Sequence, residues 1–350
     1  MSSHRLRTGG IAAALAAALA VTLTFGLVTA RGASAAQELP PVSPEELIAS
    51  VAEAEPAALA GTLAVENRLG LPALPGGGGQ PGLTDGTSTA RVWSDGEGRG
   101  RLALPRPDGE RTYVDDGATR WAYDSADRTV TKLPARGPDA EHRRDVTDPQ
   151  QAAAEAVQKL RSTSTVTVDG TTEVDGRPAY TLVLAPQPGE RTLLRQVRVA
   201  VDAQTRTPLE LAVLAGEPEP VLRIGFDDVT FGPQDPSLFT FTPPPGATVQ
   251  DAPARESGDR PGRGQDGERP DAPVVGDGWD AVLTGTVPER AQEQPGEQAP
   301  DLSELGTPVS GPWGTGRQLS SPAGTAILTD DGRFAAGAVG PDVLGAALAR

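Results

Sequence analysis

Carboxylates are the residues of this 350-residue chain that could do chemistry most readily. Three adjacent pairs, Asp115/Asp116, Asp227/Asp228 and Asp330/Asp331, have the donor type for acid–base work or for a calcium ion. Asp116 and Asp331 each precede a glycine, where turn geometry alone favours aspartate, and no EF-hand spacing surrounds any pair. The only histidines are His4 and His142, and the second stands among charged residues in a proline-bounded stretch. No G-x-S-x-G elbow is present, so a Ser-His-Asp triad has nothing to be built on. The glycine run Gly76 to Gly79 lacks the Gly-Lys-Ser/Thr sequel and the following helix of a phosphate-binding loop. Cysteine is absent, which excludes disulfides, thiolate metal sites, cysteine nucleophiles and a lipidated N-terminal cysteine. The expectation is a protein that is not an enzyme and has no cofactor or metal, with binding as the chemistry left to it.

The stretch best suited to binding is Glu110 to Leu133, which reads as strands around tight turns. Asp116-Gly117 supplies a hairpin turn, and Ser125-Ala126-Asp127 ends the next strand. Between them Thr119, Trp121 and Tyr123 share one face of an extended segment. Around this hairpin the sequence predicts strands at Ala60 to Leu69, Thr87 to Ser94, Arg99 to Leu104 and Arg128 to Leu133, with turns at Asp95-Gly96 and Asp108-Gly109. Ser43-Pro44-Glu45-Glu46 reads as a capping box opening a short helix, and Asp148-Pro149 starts a second, alanine-rich one. The meander resumes at Ser164 to Val168, with turns at Asp169-Gly170 and Asp175-Gly176, and continues through Ala179 to Leu184. The strands Leu193 to Val201, Leu209 to Leu214 and Val221 to Phe231 then alternate apolar and polar residues. About ten strands thus present one broad apolar face with two short helices to cover it. An uncovered apolar face of that size points to a binding role.

Glycine at 42 and proline at 34 exceed a fifth of the chain and aromatics are only 4%, so parts must be linker. Net charge is −16, with Lys132 and Lys159 the only lysines, which speaks against nucleic acid as a partner. At the N-terminus His4, Arg5 and Arg7 precede an apolar run from Ile11 to Val28 and the small-x-small site Ala33-Ser34-Ala35, so the body of the chain is expected to be extracytoplasmic. The expected organisation is a signal peptide or N-terminal anchor over 1–35, a binding domain over 36–250 and a disordered linker over 251–273. A partly disordered C-terminal extension follows over 274–350. Its short pieces, such as Gly278 to Leu283, Thr325 to Val339 with a hairpin at Asp330-Asp331-Gly332, and Val343 to Leu348, are expected to dock on the main domain by adding strands or covering an edge, with a separate mini-domain as the alternative.

Several runs in order carry a family resemblance. R-V-W-S-D-G at Arg91 to Gly96, R-L-A-L-P at Arg101 to Pro105 and V-D-D-G-A-T-R-W-A-Y-D at Val114 to Asp124 resemble the carrier and sensor family of LolA, RseB and LppX. G-R-P-A-Y-T-L-V-L-A-P at Gly176 to Pro186, V-A-V-D-A-Q-T-R-T-P-L-E at Val199 to Glu210 and F-T-F-T-P-P-P-G-A-T-V at Phe239 to Val249 are similar to the strands that follow in that family. The resemblance implies a mainly β (α+β) fold: a curved, incompletely closed antiparallel β-barrel with a helical lid over a hydrophobic cavity for acyl chains. By position it implies Leu102, Leu104, Trp121, Tyr123, Leu182 and Val199 as cavity wall. The implied partners are lipid or lipoprotein acyl chains bound by a monomer. Two other readings stand beside the carrier: an RseB-like sensor that binds a membrane-anchored anti-sigma factor, and a structural β protein of the cell surface.

Overall fold

The computed structural model describes residues 39–70, 86–133, 149–252, 274–286 and 306–350. The expected signal segment, the Gly76 to Gly79 run, His142 and nearly all of the expected linker lie outside these residues. Helix α1 (Pro44–Glu53) starts as its sequence dictates. Ser43 Oγ accepts from the Glu46 amide, and the Glu46 carboxylate accepts from the Ser43 amide, satisfying two donors the helix leaves free. Six strands follow as an antiparallel meander: β1 (Ala58–Asn67), β2 (Gly86–Asp95), β3 (Gly100–Arg106), β4 (Gly109–Asp115), β5 (Arg120–Asp124) and β6 (Thr129–Leu133). Helix α2 (Pro149–Leu160) leads into β7 (Ser164–Val174), β8 (Arg177–Pro186), β9 (Gln196–Asp202), β10 (Pro208–Leu214) and β11 (Pro220–Phe231). Strand β11 returns to pair with β1, and β12 (Thr248–Asp251) pairs in parallel with β6. The result is one twelve-stranded sheet in the order β12-β6-β5-β4-β3-β2-β1-β11-β10-β9-β8-β7, antiparallel at every other junction.

One turn signal acts differently from the expectation. Asp169-Gly170 does not end a strand: β7 runs through it, and its register against β8 slips between Val168 and Thr171. Gly170 takes a φ of 69°, the left-handed conformation, to make a bulge rather than a hairpin. Asp175-Gly176 does turn the chain, with φ of 47° and 70°.

Strands β13 (Val274–Val275), β14 (Val282–Thr286), β15 (Thr307–Gly311), β16 (Gly314–Ser321), β17 (Gly324–Thr329) and β18 (Arg333–Gly337) form a separate six-stranded sheet. Helix α3 (Pro341–Leu348) packs on one face of it, closing a core of Val282, Trp313, Ile327, Ala335, Val339, Val343 and Leu344. That core lets these pieces form a sheet of their own instead of extending the first. The two sheets meet at a clasp. Trp279 donates its indole N–H to Ser164 Oγ at 2.7 Å and its amide to Glu190 at 2.7 Å, while the Leu193 amide donates to the Ala338 carbonyl.

A buried carboxylate fixes the β9–β10 turn. Asp202, 1% exposed, accepts from Arg177 Nε at 2.7 Å and from the amides of Gln204 and Thr205. Burial alone would push its carboxyl up, but the Arg177 hydrogen bond and the Thr205 amide outweigh it and hold the group below the ordinary aspartate range. A depressed folded-state pKa gives stability that is present above the unfolded value, roughly 3.9, and lost as pH falls through the folded one. Asp202→Ala is expected to cost about 2–3 kcal/mol near neutral pH in urea denaturation, and its deficit against the parent should shrink as pH drops below about 4.

Candidate functional site

Pairing registers line up two apolar rows across the first sheet. One row runs Val65, Ile224, Leu211, Val199, Leu182, Val168 over β1, β11, β10, β9, β8 and β7. The next runs Leu222, Val213, Val197, Leu184, Val166 over β11 to β7. Because side chains alternate, both rows lie on one face, which we call the row face. It continues into Leu63, Val92 and Leu102 on β1, β2 and β3, since Gly61 pairs with Val92 and Val92 with Leu102. Gly61 is required there: a Cβ would stand 2.8 Å from the Phe226 ring, which packs over the glycine.

The helices cover one end of this face only. Leu47 of α1 and Val157 and Leu160 of α2 pack on Val166, Tyr180, Leu182, Val199 and Val201, all buried. The Tyr180 hydroxyl donates to the Pro40 carbonyl at 3.0 Å and holds the segment that enters α1. Toward β10, β11 and β1, Val65, Val213, Leu222 and Ile224 are half-buried, Leu211 packs beside the helix-covered cluster, and Leu63 with Leu102 packs on a second buried core that includes Leu59, Val92 and Phe226. Ile48 and Val51 of α1 are half-buried too, packed beside the covered cluster. The row face thus carries two buried cores, one beneath the helices and one around Phe226, with half-buried aliphatic residues between and beside them. Its aliphatic rows favour apolar chains. Among the described residues no group of three potential metal ligands occurs.

The six residues expected to form one wall divide between two faces. Leu182 and Val199 lie in the first row beneath the helices, and Leu102 and Leu104 are half-buried farther along the same face. Trp121 and Tyr123 lie on the opposite face. Leu102 pairs with Tyr113, whereas Trp121 pairs with Val114 and Tyr123 with Thr112, so the two sets differ by one residue in phase along β4. The chain covers the aromatic pair itself. After a 3-10 turn at Pro236–Phe239, the Phe241 ring stands 5.6 Å from Trp121 and 6.1 Å from Tyr123 before β12 pairs with β6. Asp116 accepts from the Ala118 and Thr119 amides and from the Trp121 indole at 3.2 Å, so it is a turn former that also orients the ring. Val65, Leu211 and Ile224, half-buried members of the first row, were not among the six. The alternation of β10 and β11 was their signal in the sequence.

Fold and face together define a mainly β protein with large antiparallel sheets, few helices and an apolar sheet face partly covered by two of them. No family model matches the chain, and no curated protein does. Among solved structures, MucB in complex with MucA(peri) matches at 18% identity and TM-score 0.43, covering 87% of this chain and 96% of that one. The Pseudomonas aeruginosa MucA/MucB complex matches at 17% and 0.41, covering 86% and 94%. A LolA superfamily protein from Nitrosomonas europaea matches at 11% and 0.24, covering 57% and 99%.

The covering of Trp121 and Tyr123 can be tested directly. Phe241→Ala is expected to cost about 1–2 kcal/mol and to speed amide hydrogen exchange in β12 and β6, with β8 and β9 unchanged.

Proposed function

We propose that this chain is an extracytoplasmic binding protein that carries acyl chains of a lipid or lipoprotein on the row face. In this reading the twelve-stranded sheet is a curved, incompletely closed barrel, and α1 with α2 is its lid. The observation that supports it is the pair of aliphatic rows continuous over five and six strands, with Val166, Leu182 and Val199 buried beneath the helices and the other members half-buried. Each methylene withdrawn from water there contributes about 0.8 kcal/mol, so a single chain laid along the rows suffices for tight binding without any polar contact. Placement outside the cytoplasm rests on the N-terminal charge-apolar-small pattern. Among the described residues no helix is long and apolar enough to cross a membrane.

A second reading is a sensor that binds a membrane-anchored protein and releases it when the row face fills. The second sheet supports it, since it has its own core and is clasped through Trp279 to Ser164 at the start of β7, beside the helix-covered end. Cross-linking in membranes should then capture one single-span protein, and recovery of none would remove this reading.

Native mass spectrometry of the protein purified from its own membrane fraction should show bound acyl species. Ile224→Glu and Leu211→Glu should each abolish them, because a carboxylate in the rows is desolvated by the ligand. Trp121→Glu, on the opposite face, should leave them bound. Loss in the Trp121 variant alone, with the row variants still loaded, would overturn the assignment of the face.

A further inference from the structure

The row face carries two arginines beyond its apolar part. Arg106 and Arg111 lie on that face of β3 and β4 by alternation with Leu104 and Tyr113, and Arg111 pairs directly with Leu104. Strand β4 is three places from β1 in the sheet, about 14 Å from the open end of the rows. Arg106 is already engaged. Its Nη2 donates to Asp124 at 2.5 Å, and its Nε lies 3.5 Å from Asp108. Arg111 faces Asp124 across the β4–β5 ladder, but Arg106 has taken that carboxylate. The guanidinium of Arg111 stands 5.7 Å over the Tyr113 ring and has no carboxylate partner among the described residues. Its Nε is buried and has no hydrogen-bond acceptor there, and the same is true of the Nε of Arg106 beside it. A buried N–H of a charged group left unpaired is destabilising, and native structures seldom keep one without a use.

We infer that Arg111 is a headgroup subsite: it takes the phosphate oxygens of an anionic amphiphile whose acyl chains lie along the rows. The inference rests on the acyl-binding reading above and adds to it the charge and position of the head. Several features select phosphate. The guanidinium fork matches two oxygens of one tetrahedral anion. Tyr113 and Leu104 flank it, so water competes less there than at an exposed arginine. A neutral head offers Arg111 only uncharged acceptor oxygens, which make the weaker hydrogen bond.

Calorimetric titration of the full chain with lysophosphatidic acid, with monoacylglycerol of the same acyl chain and with inorganic phosphate tests this. The parent protein should prefer the lysophosphatidic acid about tenfold, the worth of one charge-assisted hydrogen bond at the low end of its range. Arg111→Gln should bind the lysophosphatidic acid no better than the monoacylglycerol, whose affinity stays at the parent value and so reports an intact fold. Arg111→Lys should keep part of the preference. A preference that survives in Arg111→Gln, or that is absent from the parent while the monoacylglycerol still binds, overturns the headgroup subsite and leaves the acyl reading standing. A parent that binds neither amphiphile overturns both. Inorganic phosphate binding as tightly as the lysophosphatidic acid would make this a free-phosphate site and overturn the inference.

Discussion

Everything in this molecule depends on a mismatch of widths. Twelve strands at roughly 4.8 Å spacing make a sheet about 50 Å across its ladder, while two short helices side by side cover about 20 Å. Alternation makes one face apolar over most of that width, and a sheet of more than about ten strands must curl. Helices α1 and α2 pack on each other and on β7, and so settle at one end. The apolar rows run past their edge, and Leu211, Ile224 and Val65 remain half-exposed where Leu182 and Val199 are closed over.

The opposite face solves the same problem with a different element. Trp121 and Tyr123 would be an exposed aromatic patch there, and the segment after β11 lays Phe239 and Phe241 on that face before pairing β12 with β6. Phe239 is fully buried, with Arg99 over its ring. The two faces therefore have different characters: one is closed permanently by the protein's own aromatic residues, the other partly by helices that make few contacts beyond their own buried stripe. The proposed acyl binding is placed on the second kind of cover, because a ligand there would replace solvent rather than packed side chains.

Much of the fold was legible in the residues. The Asp-Gly turns, the Ser43 capping box and the alternation of β9, β10 and β11 each follow from local chemistry, and local chemistry does not depend on distant chain. Where one signal serves two structures, legibility stopped. Asp169-Gly170 offers a left-handed glycine, which a hairpin and a bulge both use, and only the length of β8 beside it selects the bulge. The C-terminal pieces are short, but they share a core with Trp313 and α3 that no single piece announces. The faces of Leu102 and Trp121 were separable in principle. The β3–β4 and β4–β5 hairpins close at Arg106 with Gly109 and Asp115 with Arg120, loops of even length, which put Trp121 one residue out of phase with Leu102.

By itself the sequence determined the element types, most turns, the absence of thiol and clustered histidine chemistry, and an apolar face larger than its helices could cover. Tertiary structure alone decided which residues share that face, what closes each side, and that Arg111 lies on the row face with Asp124 already taken by Arg106. The reason is physical. Alternation within a strand is a local property of the pleat, but the matching of strands seven places apart, such as β4 and β8, depends on every register, bulge and crossover between them.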